Sequence, residues 1–278
     1  MNKSSTQSFT PVRCRPIYDG EEDIPLKNKL RREYLLNKSL RMKEVDIILP
    51  TFNRCDLLIE AVESVFAQFH RRWNLYVCDD GSTDATHEKL KKFVGDPRFT
   101  LLKLPHKGVS AARNCGLKIT KSEYISFIDS DNVWNPEYLS MMIAFMSLYD
   151  LDCAYSAAKL VGDHNQQWLG DFFSWHACVE QNYIDINCFI VKSTKSKFRF
   201  DEKLKRFVDW DYILAVSKES RVSYLPALLV AYCNRESLDR ITTTVYKSED
   251  LSSRLNDIQN KHRQPQDDYS NFDVRLCR

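Results

Sequence analysis

Between residues 45 and 128, short apolar runs alternate with longer stretches of helical period. Val45 to Leu49 reads as a buried strand. Asp56 to Gln68 reads as a helix with Leu58, Ala61, Val62, Val65 and Phe66 on one face. Trp73 to Cys78 is a second strand, and Thr83 to Phe93, which opens with capping residues, a second helix. Phe99 to Leu102 (strand), Val109 to Ile119 (helix) and Tyr124 to Ile128 (strand) complete the series. This strand–helix order predicts an α/β fold with a mostly parallel sheet covered by helices on both faces. Such sheets bind ligands outside the carboxyl ends of their strands.

The flanks break the pattern. Residues 1–44 are polar, and within them Leu26 to Lys43 is basic and amphipathic. Leu26, Leu30 and Tyr34 share a face that Leu36 and Leu40 continue, while seven cations oppose one acid, Glu33. That stretch is either a helix packed on the main domain with a solvated basic side, or one lying on an anionic membrane surface. Residues 133–245 mix helix with short strands, and 246–278 form a polar tail or a final helix. The expected organisation is therefore 1–44, 45–132, 133–245 and 246–278.

Composition narrows the class. Of 278 residues, 43% are hydrophobic and 28% charged, the make-up of an ordinary globular protein. A net charge of +2 gives no case for a nucleic-acid partner. Nine cysteines are scattered with no two closer than ten residues, which favours a reducing compartment over a disulfide scaffold or a structural zinc. The first twenty residues lack an apolar core, and no apolar run approaches about 18 residues. The expectation is a cytoplasmic placement, including the cytoplasmic face of a membrane, with peripheral contact through residues 26–43.

Candidate chemistry sits at the strand ends. Asp129 and Asp131 follow the strand ending at Ile128, and alternate positions on an extended chain point the same way. Two hard oxygen donors there suit a divalent cation bridging a diphosphate. Asp80, in the run Asp79 to Asp84, either accepts an N–H from a nucleobase or braces a tight turn; Asp84 reads as a helix cap. Backbone near Pro50 and Thr51, with Phe52 and Arg54, can hold a base and phosphates. Lys107, Gly108 and Ser110 lead into a helix whose N-terminus would admit an anion. Arg113 is either an anion contact or an internal brace.

VDIILPTFNR (45–54), CDDGSTDAT (78–86), GVSAARNCGL (108–117) and EYISFIDSDNVWNPEYL (123–139) together resemble glycosyltransferase family 2, over about residues 45–245. The resemblance implies a GT-A fold, a nucleotide-diphospho-sugar donor with UDP-sugars favoured, Mn²⁺ or Mg²⁺ as cofactor, and inversion at the anomeric carbon. It places Pro50, Thr51, Phe52, Arg54, Asp80, Lys107, Gly108, Ser110, Arg113, Asp129 and Ser130 at the donor. Asp131 and Asp129 would hold the metal. Phe207 to Tyr212 stands where the family carries "EDxD", which makes Asp209 the base that deprotonates a glycan or lipid-linked glycan acceptor. Asp211 would then orient a neighbour. Val208 replaces the usual glutamate, and Phe198-Arg199 replaces a Gly-Gly pair before Phe200, so both departures fall in the acceptor half. Tyr232 to Thr242 resembles the family's closing loop, where Arg235 and Arg240 are phosphate candidates. Trp168, Phe172, Phe173 and Trp175 either pack in the core or stack on a sugar. The lack of GxGxxG after the first strand argues against a dinucleotide-binding dehydrogenase. Two rival readings are a catalytically inactive scaffold of the same fold and a nucleotidyltransferase. The latter would need a Gly-rich, Arg-containing first loop that this chain lacks.

Overall fold

The computed structural model describes residues 25–161, 168–195, 197–233 and 248–263. A basic helix pair comes first, α1 (Pro25–Leu36) and α2 (Lys38–Met42). The alternating unit follows as β1 (Val45–Thr51), α3 (Cys55–Phe66), β2 (Trp73–Asp79), α4 (Thr86–Leu90), β3 (Phe99–Lys103), α5 (Val109–Ile119) and β4 (Tyr124–Phe127). Beyond it lie β5 (Asn132–Trp134), α6 (Tyr138–Leu148), β6 (Cys153–Val161), β7 (Trp168–Leu169), α7 (Trp175–Glu180), β8 (Phe189–Lys192), α8 (Val208–Ser217), β9 (Val222–Cys233) and α9 (Ser248–His262).

One sheet joins both halves in the order β3-β2-β1-β4-β8-β6-β9-β5, with β7 on β6. The expected parallel pairing holds for β3, β2, β1 and β4. Parallel neighbours need long crossovers, and the α3, α4 and α5 segments provide them. After β4 the pattern changes: β8 runs antiparallel to β4, and the far half is mixed. Every residue of β1 is buried, as a strand covered on both faces requires. α3 buries Leu58, Ala61, Val62 and Val65, a single helical stripe. α5 lies so close to the sheet that a Cβ on Gly116 would come within 2.8 Å of Ile48 Cγ2. Six described cysteines are free, and burial pushes the Cys78 thiol up to about 12.

The basic N-terminal helices pack on the domain. Leu30, Tyr34 and Leu40 are buried. Arg31 grips Glu137 through Nε and Nη2, Lys27 approaches the same carboxylate, and Lys43 pairs with Glu123. Leu36 departs from the expected stripe and is 72% exposed. The chain leaves α1 there, and the Asn37 side chain caps α2 by accepting the Ser39 N–H, which resets the helical phase. No described helix is long and apolar enough to cross a membrane.

Asp46 secures the start of β1. Its carboxylate is fully buried and accepts the Lys121 and Ser122 N–H groups, the Ser122 hydroxyl and the Asn74 amide, all at 2.6–2.8 Å. Asp46→Ala strands these donors, and urea unfolding should show a loss of about 2–4 kcal/mol. An unchanged midpoint would contradict this account.

Candidate active site

Sheet register gathers the strand-end residues. β1 and β2 align Thr51 with Asp79, so the segments that follow run side by side. Asn53, with a left-handed φ of 50°, donates its N–H to Ser82 Oγ and accepts the Thr83 N–H on its side chain. Asp84 accepts from the N–H groups of Cys55 and Thr86, the capping role expected of it. Asp80 is buried, and its two oxygens accept the Lys107 and Gly108 N–H groups at 2.8 and 2.9 Å. It therefore clasps the loop entering α5. Gly108 has φ 94°, a conformation that excludes most side chains there. His106, which sequence reasoning passed over, stacks on Phe52 with ring centroids 4.1 Å apart, and its Nδ1 lies 2.9 Å from Asp80. Pro50, Thr51, Ser110 and Ser130 are buried, and Lys107 is exposed. Thr51 Oγ1 and Ser110 Oγ find no hydrogen-bond partner among the described residues.

Arg113 is the centre of a second cluster. It is 2% exposed, lies over the Phe200 ring, donates Nη2 to Asp129 Oδ1 at 2.6 Å and pairs through Nη1 with Asp209 Oδ1. Of the two roles open for Arg113, the structure shows the brace. Arg54 pairs with Asp131 in the same way from the β1 side. Asn114, next to Arg113, clasps the backbone of Phe200 from both sides and reaches Glu202. That grip holds the segment where the Gly-Gly pair is missing. Asp209 lies in the first turn of α8 after Phe207, whose φ of 57° is strained for a bulky residue. Asp211 faces away from Arg113 and accepts from His262 and Lys261 of α9, which ties the C-terminal helix to α8.

Asn187 and Asp185 complete the cluster, and sequence reasoning missed both. Asn187 Nδ2 donates to Asp129 Oδ2 at 3.1 Å and to Asp185 Oδ1 at 2.6 Å. Its Oδ1 accepts the Asp129 N–H at 2.5 Å. The side chain of Phe172 is exposed, whereas Phe173 and Trp175 pack partly against the core. Arg235, Arg240 and the Trp168 side chain lie outside the described residues.

The charges are unequal. Burial opposes the Arg113 charge, but Asp129 and Asp209 outweigh it and raise its pKa. Burial raises Asp209; Arg113 pulls it back and Asp129 adds to the rise. Burial and the neighbouring Asp129 push Asp185 up to about 7, against the hydrogen bonds from Asn187. A carboxyl raised in the folded state binds its proton there while the unfolded chain has already released it. Asp185 therefore costs stability as pH rises from about 4 to about 7. Asp185→Asn, which mimics the neutral acid, should raise Tm at pH 7.5 and leave it nearly unchanged at pH 4.5. A pH-independent difference in Tm would refute the shift.

Residues 46–176 match Glycosyl transferase family 2. The Escherichia coli UDP-Glc:alpha-D-GlcNAc-diphosphoundecaprenol beta-1,3-glucosyltransferase WfaP is 38% identical over 116 residues, 41% of this chain and 46% of that one. The chain thus spans about half the length of curated relatives it matches. The structure of S. aureus TarS 1-349 in complex with UDP-GlcNAc superposes with a TM-score of 0.67 at 20% identity, covering 79% of this chain and 66% of that one. The mannosyltransferase PcManGT from Pyrobaculum calidifontis, in complex with GDP-Man and Mn²⁺, gives 0.56 at 14% identity, covering 76% and 67%. The fold is that of the GT-A enzymes, and the stretch that carries the first half of the sheet and its strand-end residues, 46–176, matches glycosyltransferase family 2.

Proposed function

We propose that this chain is an inverting glycosyltransferase that moves a sugar from a UDP-sugar to a hydroxyl of a glycan or lipid-linked glycan in cell-surface polysaccharide synthesis. One observation carries the reading: Arg113 holds Asp129, at the donor side, and Asp209 on a single guanidinium. Among the described residues only Oδ1 of Asp209 is engaged, which leaves Oδ2 for an acceptor hydroxyl. As that hydroxyl attacks the anomeric carbon from the face opposite the diphosphate, Asp209 takes its proton and the nucleoside diphosphate departs with inversion. A positioned carboxylate base contributes about 10²–10⁴-fold. Burial raises the pKa of Asp209, which favours accepting the proton, and the Arg113 guanidinium opposes that rise.

Asp129 and Asp131 are hard oxygen donors on one turn, each already matched by an arginine, so the turn is built to bind positive charge. No group of three ligand side chains exists among the described residues. The two carboxylates fit Mn²⁺ or Mg²⁺ with diphosphate oxygens completing the set. When bound, the cation would neutralise charge growing on the leaving group. The Phe52–His106 stack above Asp80 offers an aromatic surface for the base. The names of two similar proteins, one a UDP-Glc enzyme and the other bound to UDP-GlcNAc, support a UDP-sugar. The acceptor of the first is alpha-D-GlcNAc-diphosphoundecaprenol, a sugar carried on a lipid diphosphate. In this reading the enzyme works at the cytoplasmic face of a membrane, touching it with exposed Leu35, Leu36 and Met42 beside Arg32 and Lys38. The rival is an inactive scaffold of the same fold.

Calorimetry with UDP, GDP, CDP and dTDP, each with and without Mn²⁺, should show Mn²⁺-dependent binding of UDP. Silence from all four would favour the scaffold. Asp131→Ala should bind UDP no better with Mn²⁺ than without. Asp209→Asn should bind UDP as wild type does and lose transfer by at least about 100-fold; wild-type turnover by this variant would move the base elsewhere.

A further inference from the structure

We infer that Asn187 is a positioning residue for the donor site, a role that rests on the function proposed above. Continued three residues past the pair Ser126↔Ile190, the antiparallel register of β4 and β8 puts Asn187 opposite Asp129. The side chain is 1% exposed, and every strong hydrogen-bonding group on it is spent. It takes the Asp129 N–H on Oδ1 and gives its two Nδ2 protons to Asp129 Oδ2 and Asp185 Oδ1. Arg113 holds the opposite oxygen of Asp129. The carboxylate is thus fixed from both sides, and neither rotation nor tilt is open to it.

An amide accepts the backbone N–H on its oxygen and gives two protons, one to each carboxylate, whereas a hydroxyl has only one proton to give. An aspartate at 187 would accept alone and repel Asp129, and a leucine would do neither. The local turn does not explain the residue. Asp185 caps the turn Ile186–Cys188 by accepting the Asn187 N–H, so the turn does not need the Asn187 side chain. What that side chain serves is the angle at which Asp129 meets a diphosphate and its cation. Groups that orient a metal-binding carboxylate typically matter about 10–100-fold in metal affinity.

The test is UDP calorimetry on the full chain, with and without Mn²⁺, alongside thermal melting. Asn187→Ala should lose about tenfold or more of the affinity gained from Mn²⁺, with metal-free UDP affinity within about twofold of wild type. Asp185→Asn still accepts from Asn187 and should keep most of the Mn²⁺ gain, whereas Asp185→Ala frees the amide and should lose clearly more of it. The Asp185 pair decides the matter even if Asn187→Ala fails to fold. Equal Mn²⁺ gain in Asn187→Ala or Asp185→Ala and wild type overturns the assignment. So does a parallel loss with and without metal, which marks a merely structural role. A wild-type chain that binds no UDP in either condition overturns the donor-site reading itself.

Discussion

A guanidinium buried between two carboxylates is the constraint on which the site depends. An arginine that is 2% exposed is tolerable only if its charge is matched, and here two carboxylates match it although its Nε has no hydrogen-bond partner among the described residues. The planar fork of Arg113 meets Asp129 and Asp209 at once, which a lysine ammonium cannot do with fixed geometry. The three residues come from α5, the end of β4 and α8. Removing any one leaves the others with unbalanced charge in a poorly solvated place. The bridge therefore ties the two halves of the sheet together at the point where the proposed chemistry occurs.

Sheet geometry brings these elements to one edge. Parallel pairing of β1 with β2 and β4 sets the three segments after them side by side. The antiparallel entry of β8 then adds a fourth segment, from the other direction, so that its start rather than its end faces the site. A wholly parallel sheet would have carried Asn187 to the opposite edge. The mixed second half is thus what surrounds Asp129 with donors on both sides. α9 contributes from further off, since Lys261 and His262 hold Asp211 and so fix the helix that carries Asp209.

The first half of the fold was legible because its signals are local. α5 spans Val109–Ile119 as its pattern predicts, and the α3 stripe packs as read. Legibility fell where meaning depends on remote partners. Leu36 was assigned to the buried stripe because periodicity cannot see that Asn37 restarts the helix. For Asp80, a base contact and a loop clasp demand the same residue type at the same place; only the positions of the Lys107 and Gly108 amides reveal the clasp. Asn187 and Asp185 carry no motif at all. Their relation to Asp129 follows from strand register across sixty residues of sequence, and that register is a property of the folded sheet.

Three carboxyl groups and one arginine also decide which acid is free to act. Asp129, Asp185 and Asp209 cannot all ionise cheaply around a single buried cation. Asp129 and Asp209 each touch the guanidinium, and Asp185 does not. Among the described residues Asp185 takes hydrogen bonds from Asn187 alone, and these two fail to offset burial and the charge of Asp129, so its carboxyl is raised to about 7. It is the member that retains a proton near neutrality. Asp129 takes one hydrogen bond on each oxygen, from Arg113 on one and from Asn187 on the other, and the lone pairs left over are those the proposed donor-site cation would use. In the proposed reaction Asp209 is the base: burial raises its pKa, Arg113 opposes that rise, and among the described residues one of its oxygens is unengaged. The resemblance of Phe207 to Tyr212 is what nominates Asp209 as the proposed base; the fold adds the shared guanidinium that sets it beside Asp129, a contact that does not involve Val208, the residue in place of the usual glutamate.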